Sequence, residues 1–214
     1  PDPIYSNLQR FAVMPLNYLG YVTELHDLQK PLPSGILKGR YAGILVWPNA
    51  DSSGDRQNLL PWLVRQKEDG VPLLFLDRFG VPPQQFAKAM GGSLGSFPAS
   101  GTKLTILTQA PMVGFEKKIT LPRDQVIPLR FDQSEPLLTL GNSSRGVISE
   151  SIALTPWGGY ALSPFVVNEL IDERSHWIFD PFTFFSKALR LGRLPAADTT
   201  TENGASELIR PGEN

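Results

Sequence analysis

Tyr41-Ala-Gly-Ile-Leu-Val-Trp47-Pro48 and Val71-Pro-Leu-Leu-Phe-Leu-Asp77-Arg-Phe-Gly80 decide the fold. Both are apolar runs of strand length with no hydrophobic alternation, as expected of strands buried on both faces. Between them, Asn49 to Asn58 is rich in helix-capping residues, and Leu59, Leu60, Leu63 and Val64 recur at helical spacing. Pro61 fits only the first turn of that helix, because deeper inside it would clash with the preceding turn. The helix therefore starts near Asn58, turns Arg65, Lys67, Glu68 and Asp69 to water, and stops at Gly70. Strand, helix, strand at this spacing predicts a β-α-β unit with parallel strands.

Outward from this unit, Val81 to Gly92 carries proline near its start and glycine past its end, the signature of a second, shorter helix. Upstream, Phe11 to Met14 and Tyr21 to Leu25 read as strands, with too little chain between them for a crossover helix. Residues 91–101 read as a loop. Its Gly-Gly-Ser-Leu-Gly phrase follows a helix and lacks a Lys-Ser/Thr ending, so it does not make a phosphate cradle. From Thr102 the pattern changes to short strands over 104–108, 125–131, 137–140, 146–155 and 160–166, separated by turn residues. This predicts an antiparallel β-meander extending or covering one edge of the first sheet. Asp180-Pro181 then opens a helix, with Phe182, Phe185 and Leu189 on one face and Phe184, Ala188 and Leu191 widening it. The organisation expected is a linker over 1–10, one α/β module over 11–192 (core 11–101, meander and helix 102–192), and a linker over 193–214.

Composition narrows the function. Of 214 residues, 20 are Lys or Arg and 21 are Asp or Glu, which argues against nucleic acid or an anionic membrane as partner. No apolar run has the length of a membrane span, and no insertion is expected. Cysteine is absent, which excludes disulfides, thiolate metal sites and thiol nucleophiles. The two histidines, His26 and His176, lie in no Ser-His-Asp or metal-ligand pattern.

Candidate ligand groups gather where the central strands end. Trp47, Asp51, Asp77 and Arg78 fall at carboxyl ends, the edge at which open α/β sheets hold ligands. Asp51 and Asp55 read equally as helix caps, and Asp77 as a partner of Arg78. Trp157 and Tyr160, near a turn, are candidates for stacking on sugar rings, or simply core. No catalytic, cofactor or metal residue emerges, and no cofactor is expected.

Asp172-Glu-Arg-Ser-His-Trp-Ile-Phe-Asp-Pro and the residues to Gly204, with Gly20-Tyr-Val-Thr-Glu-Leu-His-Asp and Pro31-Leu-Pro-Ser-Gly, resemble the PelA-like family, multidomain periplasmic proteins of Pel exopolysaccharide biosynthesis. The resemblance covers roughly 10–204 and implies the module between a glycoside hydrolase and a polysaccharide deacetylase. The metal motif of that deacetylase is absent here. The middle module is similar to the class I glutamine amidotransferase-like fold, a flavodoxin-like sheet, here with an added β-meander and C-terminal helix. That likeness puts Asp77 where the enzymes carry their Cys, and no Glu follows His176 in their His-x-Glu pattern. The resemblance implies a non-catalytic scaffold or interaction module, periplasmic or secreted. Its partners would be the neighbouring hydrolase and deacetylase domains and an exopolysaccharide secretion protein. The alternatives are a carbohydrate-binding module, or a residual hydrolase or flavin-type enzyme.

Overall fold

The computed structural model describes residues 7–28, 30–48, 58–99, 102, 104–110, 126–142, 144–162, 167–168, 176–177 and 180–190. The parallel pair forms as the apolar runs require. β1 (Ile44–Val46) lies beside β2 (Leu73–Asp77), with Ile44 opposite Leu73 and Val46 opposite Phe75. Between them in the chain runs α2 (Leu59–Glu68), the second α-helix, which buries Leu59, Leu63 and Gln66. Leu60 and Val64 are only half-buried. α3 (Pro83–Met90) follows β2 and ends in a left-handed Gly91.

The meander joins this pair at its inner edge. β6 (Glu135–Asn142), β7 (Gly146–Thr155) and β8 (Gly158–Leu162) are antiparallel neighbours, and β4 (Thr105–Gln109) flanks β6. β8 runs parallel to β2, giving a mixed six-stranded sheet of order β1-β2-β8-β7-β6-β4. The protein is thus a mixed α/β fold.

Two departures lie upstream. Phe11 to Met14, expected as a strand, is helical: a π-helical turn (Gln9–Val13) runs into α1 (Met14–Tyr18). Phe11, Ala12, Val13 and Leu16 bury together on it, a grouping that a short apolar run does not distinguish from strand pattern. Helix already covers Asn7 to Arg10, inside the stretch expected as a linker. Tyr21 to Leu25, the other expected strand, joins no strand ladder among the described residues, and Val22 is 99% exposed. The expected outgoing linker, 193–214, lies outside the described residues.

A third departure is small but has a clear cause. Inside the expected 91–101 loop, β3 (Gly92–Leu94) pairs antiparallel with β5 (Leu129–Phe131). A Cβ on Gly92 would stand 2.5 Å from the Phe131 ring and 2.6 Å from the Arg130 carbonyl oxygen. The glycine there serves close strand approach. Two further short strands, β9 (Val167–Asn168) and β10 (His176–Trp177), pair antiparallel.

Strand alternation divides the core in two. Leu74 and Leu76 of β2 join Leu138, Leu140, Ile152, Leu154 and Ala161 on one face, closed by α1 and by α4 (Pro181–Ala188). Leu73 and Phe75 join Phe79, Phe86, Phe131, Trp157 and Tyr160 on the other, under α2 and α3. Asp180 caps α4 as expected, its carboxylate accepting from the Phe182 amide at 2.9 Å and the Thr183 amide at 3.3 Å. The buried face of α4 is Phe184, Phe185, Ala188 and Leu189, whereas Phe182 is 37% exposed and meets Tyr18 edge to face.

Candidate functional site

β2 ends in a sharp turn. The Arg78 amide donates to the Leu76 carbonyl at 2.9 Å, across one residue, and that residue, Asp77, has φ 70°. This is a γ-turn with a left-handed centre, a rare and strained form. A non-glycine residue in that region costs on the order of 1–2 kcal/mol. The turn redirects the chain so that Phe79 enters the aromatic core while Asp77 and Arg78 stay near the surface. Asp77 Oδ2 and Arg78 Nε stand 3.8 Å apart, with side-chain exposures of 24% and 55%. Neighbouring β1 leads into Trp47, half-buried against the aliphatic core, and buried Pro48. Trp47, Asp77 and Arg78 therefore all lie at the carboxyl edge of the parallel strands. Asp51 and Asp55 lie outside the described residues.

The other aromatic candidates are elsewhere. Trp157 is 7% exposed and Tyr160 is fully buried, so neither presents a ring face to a sugar. They pack instead among rings at edge-to-face angles: Trp157 lies 5.4 Å from Phe131 at 76°, and Tyr160 5.8 Å from Phe79 at 66°. The reason is register. Tyr160 sits opposite Ala153 and Phe75 in the middle of the sheet, where both faces are covered.

A polar group that the sequence did not single out sits on the same face. Glu150, 9% exposed, accepts from Ser134 Oγ at 2.7 Å and from the Phe131 amide at 3.4 Å. The β6–β7 register skips Ser151 and Ile148, one on each side of Glu150. Such bulges re-aim the side chains around them. Ser149 Oγ donates to the Ile127 carbonyl at 2.6 Å and lies 3.2 Å from Ser151 Oγ. These contacts tie β5 and the residues before it to β7. The buried Tyr160 hydroxyl lies within electrostatic reach of the carboxylate and makes no hydrogen bond of good geometry among the described residues. Burial, and then the Glu150 charge, push its pKa well above the usual phenol value. The only sequence signal for this seam is a run of polar residues, Ser149-Glu150-Ser151, inside an otherwise apolar strand.

His26 is exposed on the segment before Leu28, and His176 belongs to β10, opposite Asn168. Among the described residues no three His, Asp or Glu side chains gather in a metal-binding group, and no helix is long and apolar enough to cross a membrane. The chain matches no family model, no curated protein and no solved structure.

Proposed function

We propose that this chain is a non-catalytic α/β module of a PelA-like exopolysaccharide-modifying protein, periplasmic or secreted, which spaces the neighbouring hydrolase and deacetylase domains or docks a secretion partner. Its sheet would be a variant of the glutamine amidotransferase-like, flavodoxin-like type. The observation that carries this reading is the turn at Asp77. In elbow-type enzymes a strained strand-to-helix turn raises the nucleophile, and the amide of the next residue stabilises the oxyanion. Here a strained turn ends β2, six residues before α3 begins at Pro83, with a carboxylate at its centre and the Arg78 amide donating to the Leu76 carbonyl. On the proposed likeness Asp77 takes the place of the nucleophile, and a chain without cysteine supplies no thiol for acyl transfer there.

The parent protein provides the test. Trp47→Ala and Asp77→Asn should leave deacetylation of a short acetylated oligosaccharide within about twofold of wild type, because neither group touches that chemistry. Deleting 11–192 should instead impair polymer secretion. A loss of turnover beyond about tenfold in a folded point variant, equivalent to about 1.4 kcal/mol of transition-state stabilisation, would place this edge in the reaction and end the reading.

A further inference from the structure

The large apolar side chains that stay exposed are not spread evenly. Among the described residues there are nine, and four of them, Met14, Tyr18, Val22 and Leu25, lie within residues 14–25. A fifth, Phe182, reaches the same place from α4, where its ring meets Tyr18 edge to face at 5.1 Å. Met14 and Tyr18 stand one helical turn apart on α1 and share a face. Val22 and Leu25 follow on the segment that joins no strand ladder among the described residues. Exposed Arg10, Asn17 and Glu24 are interspersed with them along the chain. Single exposed apolar residues are ordinary on a protein surface, whereas a group of them marks a contact surface, the more so with polar side chains at its rim.

Size and place select the occupant. Five such side chains expose on the order of 500 Å². A stable complex between separate chains needs about 800 Å² on each partner, so a second copy would be poorly held here. Domains joined in one polypeptide meet through smaller surfaces, because the tether supplies a high effective concentration. The group belongs to the incoming arm of the chain: helix runs from Asn7 into α1, and four of the five residues lie on α1 or just beyond it. α4 contributes Phe182 from its first turn, whereas the chain leaves that helix at its opposite end, past Ala188. We infer that Met14, Tyr18, Val22, Leu25 and Phe182 form the docking surface for the folded domain that precedes this module in its parent, the hydrolase domain of the proposed PelA-like protein. The inference rests on that proposal for the existence of such a domain.

Photocrosslinking in the whole parent protein tests it. Met14→p-benzoylphenylalanine sets a photoreactive ring in the group, and mass spectrometry identifies the peptides it captures. They should come from the preceding domain. Capture of the domain that follows, of a second copy, or of nothing beyond this module would overturn the inference, as would a parent with no domain ahead of it. Peroxide gives an independent readout. Met14 is 58% exposed and should form its sulfoxide at least about tenfold faster in the separate chain than in the parent. Met90, 3% exposed, should react slowly in both and so reports that the separate chain is folded. Tyr18→Glu in the parent should restore fast oxidation of Met14 with Met90 still protected. Equal Met14 rates in the chain and the parent would also overturn the inference. Loss of turnover in Asp77→Asn with the crosslinks intact would sink the non-catalytic reading and leave the docking surface standing.

Discussion

The two faces of the sheet are built from different materials. Under α1 and α4 the core is mainly leucine, with two phenylalanines supplied by α4. Under α2 and α3 it is a network of rings. Phe86 stacks on Phe79 at 3.9 Å and meets Phe75 edge to face at 4.7 Å, and Phe131 meets Trp157 at 76°. Aliphatic side chains bury area without strict angles, whereas aromatic pairs add energy only in particular orientations. The ring-rich face also holds the buried polar seam at Glu150. One face is held chiefly by volume and the other by orientation and hydrogen bonding, so the two should respond differently to the same kind of damage.

Volume loss on the aliphatic face should cost most. Phe185→Ala removes a fully buried ring and should lower stability by about 3–5 kcal/mol, read as a shifted denaturant midpoint. An unchanged midpoint would show that α4 is peripheral and that this face is not a true core. The ring-rich face is tested next through its seam. Glu150→Ala takes the acceptor from the Phe131 amide, leaves the Ser134 hydroxyl only the Phe131 carbonyl, and should cost about 1–3 kcal/mol, while Glu150→Gln, which keeps an acceptor, should recover most of that. Equal losses in both would mean that charge, not acceptor geometry, holds the seam.

The smallest effect concerns a single oxygen. Tyr160→Phe removes a buried hydroxyl with no hydrogen bond of good geometry among the described residues and should change stability by less than about 1 kcal/mol at neutral pH. Its signature appears in alkali. The folded pKa of Tyr160 is raised, so the phenol is protonated in both states below the unfolded value of 10.0. Above that value the unfolded chain releases the proton and the folded chain retains it, so stability is lost as pH rises toward the folded pKa. The phenylalanine variant should lack that part of the alkaline decline. Parallel curves for the two proteins would refute the burial argument.

The strength of local signals decided how much was legible in the sequence. The β-α-β unit, α3, the strand over 146–155 and the Asp180 cap were readable because each combines a long apolar pattern with a turn or capping residue. Phe11 to Met14 misled because four apolar residues fit either period. Tyr21 to Leu25 misled because β-propensity says nothing about whether a sheet has a place for the strand. Helical spacing allows two overlapping apolar faces on α4, one of them through Phe182, and tertiary packing chose the other, through Phe184 and Phe185. At the candidate site the edge position of Trp47, Asp77 and Arg78 was readable from strand ends. The strained turn was not, because Asp77-Arg-Phe-Gly80 advertises its glycine as the left-handed residue, and in the structure both ends of that phrase are left-handed. Trp157 and Tyr160 suggested a sugar platform only while their neighbours were unknown.

The join between β2 and β8 has a bearing on the order of assembly. The β-α-β unit and the β6-β7-β8 meander each form from chain segments close in sequence, yet the two meet through pairing of Leu73 with Gly158. At that junction Gly158 has φ 139°, and a Cβ there would run into the Leu73 carbonyl oxygen. Bringing such distant segments together costs loop-closure entropy before any contact rewards it. Contact order therefore predicts that the encounter of the two half-made sheets limits the folding rate, and it passes through a gap just wide enough for a hydrogen atom.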